Sequence, residues 1–185
     1  MIRPAGIVLA GGRSRRMGTD KALMTFEGVP MIQLAVNRLA PLCEEVWISC
    51  RQESASLYQP FGQLLFDETK DQGPLGGIYS ALIQLRQPIL VTPVDTPRLG
   101  SDHYEQLWEA SDQGKDTVCY AHADSHMLEG LVSCWSAGAA HTLAEYLTAG
   151  KRSVQEFLRE RKVRVISVEN AEEFVNVNRL GDLGG

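Results

Sequence analysis

No run of apolar residues in this chain approaches the roughly 20 that a membrane-spanning helix requires. The amino terminus has none of the basic, apolar and small-residue succession of a secretory signal. The four cysteines, Cys43, Cys50, Cys119 and Cys134, include no CxxC pair. Neither a zinc site nor a disulfide framework is indicated, and a reducing cytoplasm is the expected setting. Positive charge is also short: 18 Lys and Arg stand against 23 Asp and Glu, for a net charge of −5. Coating nucleic acid or an anionic membrane needs a broad positive field, so neither partner is expected and any basic site must be local. Repeats, low-complexity tracts and linkers are missing too. What is left is 185 residues, 44% hydrophobic, enough to bury a core, and the expectation is one domain over residues 1–185.

The order of apolar patterns gives the fold class. "AGIVLAGG" reads as a short buried strand ending at glycine, and "MIQLAVNRLAPL" sets Ile32, Ala35, Val36 and Leu39 at helical spacing until Pro41. Strands follow at "EEVWISC" and "QLLF", a helix at "GGIYSALIQL" and a strand at "PILVTPV". Such alternation favours a parallel sheet with helices on both faces, because parallel neighbours need long crossovers. The second half reads as a helix near "SDHYEQLWEAS", strands at "DTVCYA" and "GLVSCW", helices over "AGAAHTLAEYLTA" and "SVQEFLRER", and a last strand at "VRVISV". The turn-like "HADSHMLEG" predicts one antiparallel strand in an otherwise parallel sheet. Ligands of open sheets bind beyond the carboxyl ends of the strands, which directs attention to the loops after Ala10, Cys50, Phe66 and Val94.

The first of those loops is "LAGGRSRRMGTDK", Leu9 to Lys21. Gly11 and Gly12 allow a tight turn with exposed backbone N–H groups, while Arg13, Arg15, Arg16 and Lys21 bring positive charge; such a loop suits a polyphosphate. Neither GxxxxGK[ST] nor GxGxxG fits it. In "PILVTPVDTP", Asp95 sits between two prolines where a strand leaves the sheet, a place suited to a hard cation such as Mg2+. Asp67 holds the equivalent place in "LLFDE" and suits a sugar hydroxyl, a base edge or a metal-bound water; either aspartate would serve equally as a cap or turn residue. GxSxG and HExxH are absent, and no cysteine stands in an evident base-paired setting, so hydrolytic and covalent chemistry lack a candidate. His122 and His126 have metal-compatible spacing but read as two exposed turn histidines.

Together these segments resemble the molybdenum cofactor guanylyltransferases of the nucleotidyltransferase group, whose signature is LAGGxSxRMGxDK. "DQGPLGGIYSAL" is similar to the family's GPLxG turn, "VDTP" to its CDTP or CDMP, and "EYLTAGKRSV" and "FVNVN" to later segments in the same order. The resemblance implies a Rossmann-like three-layer α/β fold and transfer of GMP from GTP to the molybdopterin cofactor, with release of pyrophosphate and Mg2+ as cofactor. By the same resemblance Leu9, Ala10, Gly11 and Gly12 contact the nucleotide, Lys21 its phosphates, Asp67 the guanosine and Asp95 the nucleotide through Mg2+. Arg16 takes the leaving pyrophosphate, from its place in the motif and guanidinium geometry. Asn176 and Asn178 lie toward the pterin, and proteins that hand the cofactor over are implied partners. Cytidine-using relatives resemble LAAG where this chain has LAGG, which points to GTP over CTP; a cytidylyltransferase or a noncatalytic nucleotide binder are the alternatives. Three departures stand out. Ser49 replaces a frequent asparagine at the base, Met127 and Glu129 replace the usual HPT or EPL pattern, and "RLGDL" follows "VNVN" in place of TPEEL.

Overall fold

The computed structural model describes residues 3–11, 20–67, 72–114, 116–161 and 163–177. In chain order these form β1 (Ala5–Leu9), a small hairpin of β2 (Thr25–Phe26) and β3 (Val29–Pro30), α1 (Met31–Leu39), β4 (Val46–Cys50), the short α2 (Ala55–Tyr58), β5 (Gln63–Phe66) and α3 (Gly73–Leu85). There follow β6 (Ile89–Pro93), α4 (Ser101–Ala110), β7 (Val118–Ala121), β8 (Leu128–Trp135), α5 (Ala139–Thr148), α6 (Val154–Glu160) and β9 (Arg164–Ser167). The expected strands and helices form, and the hairpin and α2 are additions to them.

A seven-stranded sheet runs in the order β5-β4-β1-β6-β8-β7-β9. β1 pairs in parallel with β4 and β6, β4 with β5, and β7 with β9, while β8 runs antiparallel to both β6 and β7. The single reversed strand expected from the sequence is therefore β8. It starts at Leu128 and takes in part of the stretch that reads as a turn.

Alternation along the strands feeds two cores. In β1, Ala5 and Ile7 face one cluster and Val8 the other; in β6, Ile89 and Val91 face the first and Leu90 the second. Ile32, Ala35 and Leu39 of α1 and Tyr104 and Leu107 of α4 close the Val8 side. Leu75, Ile78 and Leu82 of α3, Leu143 and Leu147 of α5 and Phe157 and Leu158 of α6 close the Ile7 side. This is a three-layer α/β arrangement, in which each fully buried aliphatic side chain contributes about 1.5 to 3 kcal/mol. Strand register then brings functional loops together. Leu9 lies opposite both Ser49 and Pro93, and Cys50 opposite Phe66, so Ala10, Arg51, Asp67 and Asp95 all emerge at one edge.

The carboxyl-terminal segment returns to that edge. Phe174 is buried against the rings of Tyr120 and His103, with centroids 5.1 and 5.4 Å away, and His103 Nε2 lies 3.0 Å from Glu173 Oε2. The Val177 N–H donates to the Asp95 carbonyl at 2.8 Å.

Away from this edge, a Cβ on Gly130 of β8 would lie 2.5 Å from Val154 Cγ1 and 2.7 Å from Leu158 Cδ1 of α6. Overpacking of this kind costs about 1 to 3 kcal/mol. Gly130→Ala should lower the denaturation midpoint accordingly while leaving nucleotide affinity within twofold of the parent, as urea unfolding and GTP titration would measure.

Candidate active site

The loops after β1, β4, β5 and β6 enclose a cavity of ≈ 470 Å³, a size that suits a small-molecule ligand. Leu9, Ala10, Gly11, Lys21, Ser49, Asp67 and Asp95 all line it. Seven of the positions expected from the sequence are thus gathered in one place. Gly12, Arg16 and Asn178 lie outside the described residues, as do Arg13 and Arg15. Asn176 is exposed and does not line the cavity, although its neighbour Val177 is tied to the Asp95 carbonyl.

Across the cavity floor, Lys21 Nζ donates to Asp95 Oδ2 at 2.9 Å. Lys21 opens a single 3-10 turn, Lys21–Leu23, whose cap is Asp20: Oδ1 accepts from the Ala22 N–H at 3.0 Å. The other carboxylate oxygen of Asp20 accepts from the Tyr58 hydroxyl at 2.8 Å, and that hydroxyl also approaches the Ala10 carbonyl at 3.3 Å. Tyr58 thereby joins the two ends of the glycine-arginine loop, residue 10 at its start and residue 20 at its close. Asp20 is the aspartate of the LAGGxSxRMGxDK signature, but the resemblance assigns it no contact; Tyr58 sits in a stretch with no periodic signal.

A second contact joins β4 to the loop after β5. Ser49 Oγ donates to Asp67 Oδ1 at 2.9 Å, and Ser49 is 2% exposed. The serine that replaces asparagine therefore anchors a site carboxylate. Helix α3 passes close by: a Cβ on Gly77 would lie 2.5 Å from Ser49 Oγ, 3.2 Å from Leu9 Cδ2 and 3.3 Å from Asp67 Oδ1. Only glycine lets the helix approach this closely without moving the pair. Burial pushes the Asp67 carboxyl above its ordinary value of 3.8, partly offset by the Ser49 hydroxyl and the Arg51 charge. Gly77, the last glycine of the GPLxG turn, lines the wall, and Arg51, Leu131 and Arg152 complete parts of it that motif reading did not single out; Arg152 falls in "AGKRSV", where only order along the chain marks it.

Among the described residues there is no group of three or more His, Cys, Asp or Glu side chains able to cage a metal. That suits Mg2+ held with a nucleotide. Mg2+ typically takes one or two protein carboxylates and leaves its other positions to phosphate oxygens and water, and Asp95, with its side chain 26% exposed, supplies such a donor. The expectation of two exposed turn histidines needs correction at His122. Its Nε2 lies 2.7 Å from Glu129 Oε1, its side chain is 16% exposed, and its ring packs 6.0 Å from that of Phe174. Because β8 begins at Leu128, Glu129 lies in the strand, in register with Tyr120, and its carboxylate reaches His122 just beyond the end of β7. His126 is exposed as expected.

The chain is similar to known proteins over nearly its whole length. Residues 6–165 match the MobA-like NTP transferase domain. A molybdenum cofactor guanylyltransferase of Cereibacter sphaeroides is 33% identical over 98% of this chain and 94% of its own length. One from Histophilus somni (strain 2336) is 34% identical over 97% of this chain and 93% of its own. Among solved structures, molybdopterin-guanine dinucleotide biosynthesis protein A of Archaeoglobus fulgidus superposes with a TM-score of 0.78 at 22% identity, covering 97% of this chain and 94% of that one. A 4-diphosphocytidyl-2C-methyl-D-erythritol synthase from Anaerococcus prevotii shares the fold with a TM-score of 0.72 at 10% identity, over 98% and 94% of the two chains.

Two outcomes follow from the Asp67 environment. Because its folded-state value is raised, the ionised carboxylate is disfavoured by folding: the penalty is absent below the ordinary value of 3.8 and complete above the folded value. Asp67→Asn should therefore raise the melting temperature of the ligand-free protein at neutral pH, with the gain shrinking as acidification approaches that ordinary value, while GTP affinity falls. Calorimetry across pH reads the first effect and titration the second. Gly77→Ala should weaken GTP binding about tenfold or more by displacing the Ser49–Asp67 pair, alongside a stability loss of about 1 to 3 kcal/mol.

Proposed function

The chain belongs to the MobA-like NTP transferase domain family, and we propose that it transfers GMP from GTP to the molybdopterin cofactor, giving the guanine dinucleotide form and pyrophosphate. The observation that carries this reading is the single cavity at the carboxyl ends of β1, β4, β5 and β6, in which Lys21 and Asp95 oppose each other and Asp67 stands beside them. The names of the curated relatives supply the substrates.

In this reaction an oxygen of the pterin phosphate forms a bond to the α-phosphorus of GTP as the bond from that phosphorus to the β-phosphate bridging oxygen breaks. The electron pair leaves with pyrophosphate. The nucleophile is already ionised near neutral pH, so no general base is required, and catalysis consists of alignment and charge neutralisation. Lys21 donates to the phosphates, and Arg16 takes a share of the charge that builds on the leaving group. Asp67 accepts from donor groups of the guanosine, held in place by Ser49. Leu9, Ala10, Gly11 and Gly12 line the nucleotide with backbone, and the missing side chain at Gly12 leaves room for a purine. Asp95 would hold Mg2+, which when bound neutralises phosphate charge and fixes the triphosphate's orientation. Asn176 and Asn178 belong to the acceptor side. The cytoplasm is the proposed setting: all four cysteines are free and buried, and no helix among the described residues is long and apolar enough to cross a membrane. Proteins that deliver and receive the pterin are the proposed partners.

Incubation with each nucleoside triphosphate, Mg2+ and molybdopterin, followed by product mass, tests the reading. The guanine dinucleotide should dominate; a cytosine product would make the protein a cytidylyltransferase, and GTP binding without any product would make it a nucleotide binder. Asp95→Asn should reduce kcat by about 100-fold or more with the fold intact, as steady-state rates and circular dichroism would record. Lys21→Ala should depress both affinity and turnover, since the ammonium meets phosphate charge in the ground state and more strongly as pyrophosphate departs.

A further inference from the structure

Arg38 of α1 is only 6% exposed and does not line the cavity. Among the described residues its guanidinium meets no carboxylate. Nη1 donates to Thr92 Oγ1 at 2.8 Å, Nη2 donates to the Thr96 carbonyl at 2.7 Å, and Nε is buried without a hydrogen-bond partner. The ring of Tyr104, from α4, has its centroid 6.0 Å from the guanidinium carbon, and the Tyr104 hydroxyl donates to Thr92 Oγ1 at 2.6 Å. Removing a charge from water without a counter-charge is costly, and an apolar side chain could fill the same space more cheaply. The cost calls for a task that packing alone does not perform.

The two acceptors identify that task. Thr92 is within β6 and Thr96 lies one residue beyond Asp95, so a single planar group grips both ends of the turn that carries the carboxylate. Thr96 Oγ1 is itself buried without a partner, so the threonine hydroxyl does not fasten the turn. The rigid guanidinium fork can satisfy two acceptors at fixed separation, which an ammonium cannot reproduce. The Val177 N–H holds the Asp95 carbonyl, the Leu99 N–H meets the Thr96 carbonyl at 3.4 Å and the Thr92 hydroxyl the Pro93 carbonyl at 3.3 Å; of the groups that hold this turn, Arg38 alone bridges Thr92 and Thr96.

We propose that Arg38 is a positioning residue, which fixes the Thr92–Thr96 turn so that the Asp95 carboxylate faces Lys21 and the nucleotide-bound cation. The catalytic half of this inference rests on the reaction proposed above; the ordering of the turn does not.

The test uses the full chain with Arg38→Lys, which keeps the charge and loses the fork, and Thr92→Val, which keeps the volume and removes one acceptor. Hydrogen exchange at the Val94, Asp95 and Thr96 amides should accelerate about tenfold in Arg38→Lys. Its kcat should fall by about tenfold or more and the Mg2+ concentration for half-maximal rate should rise, with KM for GTP at saturating Mg2+ within twofold. Thr92→Val should move the same readouts in the same direction by less. If both variants lose thermal stability but keep the parent's exchange in this turn and its Mg2+ requirement, Arg38 only fills the core and the proposal is overturned. If exchange accelerates in a protein whose parent shows no Mg2+-dependent transfer, the turn-fixing role stands and the proposed reaction fails.

Discussion

Lys21 and Asp95 approach to 2.9 Å with side chains 13% and 26% exposed. On an open surface such a pair contributes little, and half-buried it loses hydration that the Coulomb attraction only partly restores. Its value lies in what each partner does next. A triphosphate offers the ammonium a denser negative charge, and the cation that accompanies it offers the carboxylate a harder partner. In the function proposed here, the ligand-free site keeps both groups in place and mutually neutralised until a metal-bound nucleotide replaces the contact with two better ones.

Everything that brings these two side chains together follows from parallel pairing. Lys21 is reached from β1 and Asp95 from β6, and those strands are neighbours. Parallel strands deliver their exits to the same edge, where β4 and β5 add Ser49 and Asp67. Beyond β6 the sheet reverses at β8, and the chain then returns through β9 to lay Phe174 and Val177 against the same edge. The segment that carries Phe174 and Val177 is therefore tied to the Lys21–Asp95 pair through the Asp95 backbone. Local supports complete the arrangement: Tyr58 ties the loop ends at Ala10 and Asp20, Ser49 holds Asp67, and Gly77 lets α3 pass beneath them.

The long elements were legible because their apolar periodicity is strong. The buried runs "AGIVL" and "PILVTP" and the helical stripe of Ile78, Ala81 and Leu82 leave little choice. The β2–β3 hairpin was not legible, since strands of two residues have no period to read and its turn is marked only by Glu27 and Gly28 at positive φ of 51° and 81°. Nor was α2, whose four residues are too few to show a helical period. At the site, Asp67 and Asp95 are legible because they follow strand ends, and Lys21 because it closes the glycine-arginine motif. Tyr58 and Arg38 act across 38 to 58 residues along the chain, and a single sequence carries no local sign of such contacts. His122 is half-buried rather than exposed because its partner Glu129, which falls in a turn-like stretch of the sequence, is the second residue of a strand.

The most direct measurement is GTP affinity in the parent and Asp95→Asn, with Mg2+ present and with Mg2+ removed by chelation. If Asp95 serves the cation and otherwise competes with phosphate for Lys21, the substitution should weaken binding about tenfold or more with Mg2+ and leave it equal or tighter without. Loss of affinity by the same factor under both conditions, or no loss under either, would contradict the exchange of the ion pair on which the account depends.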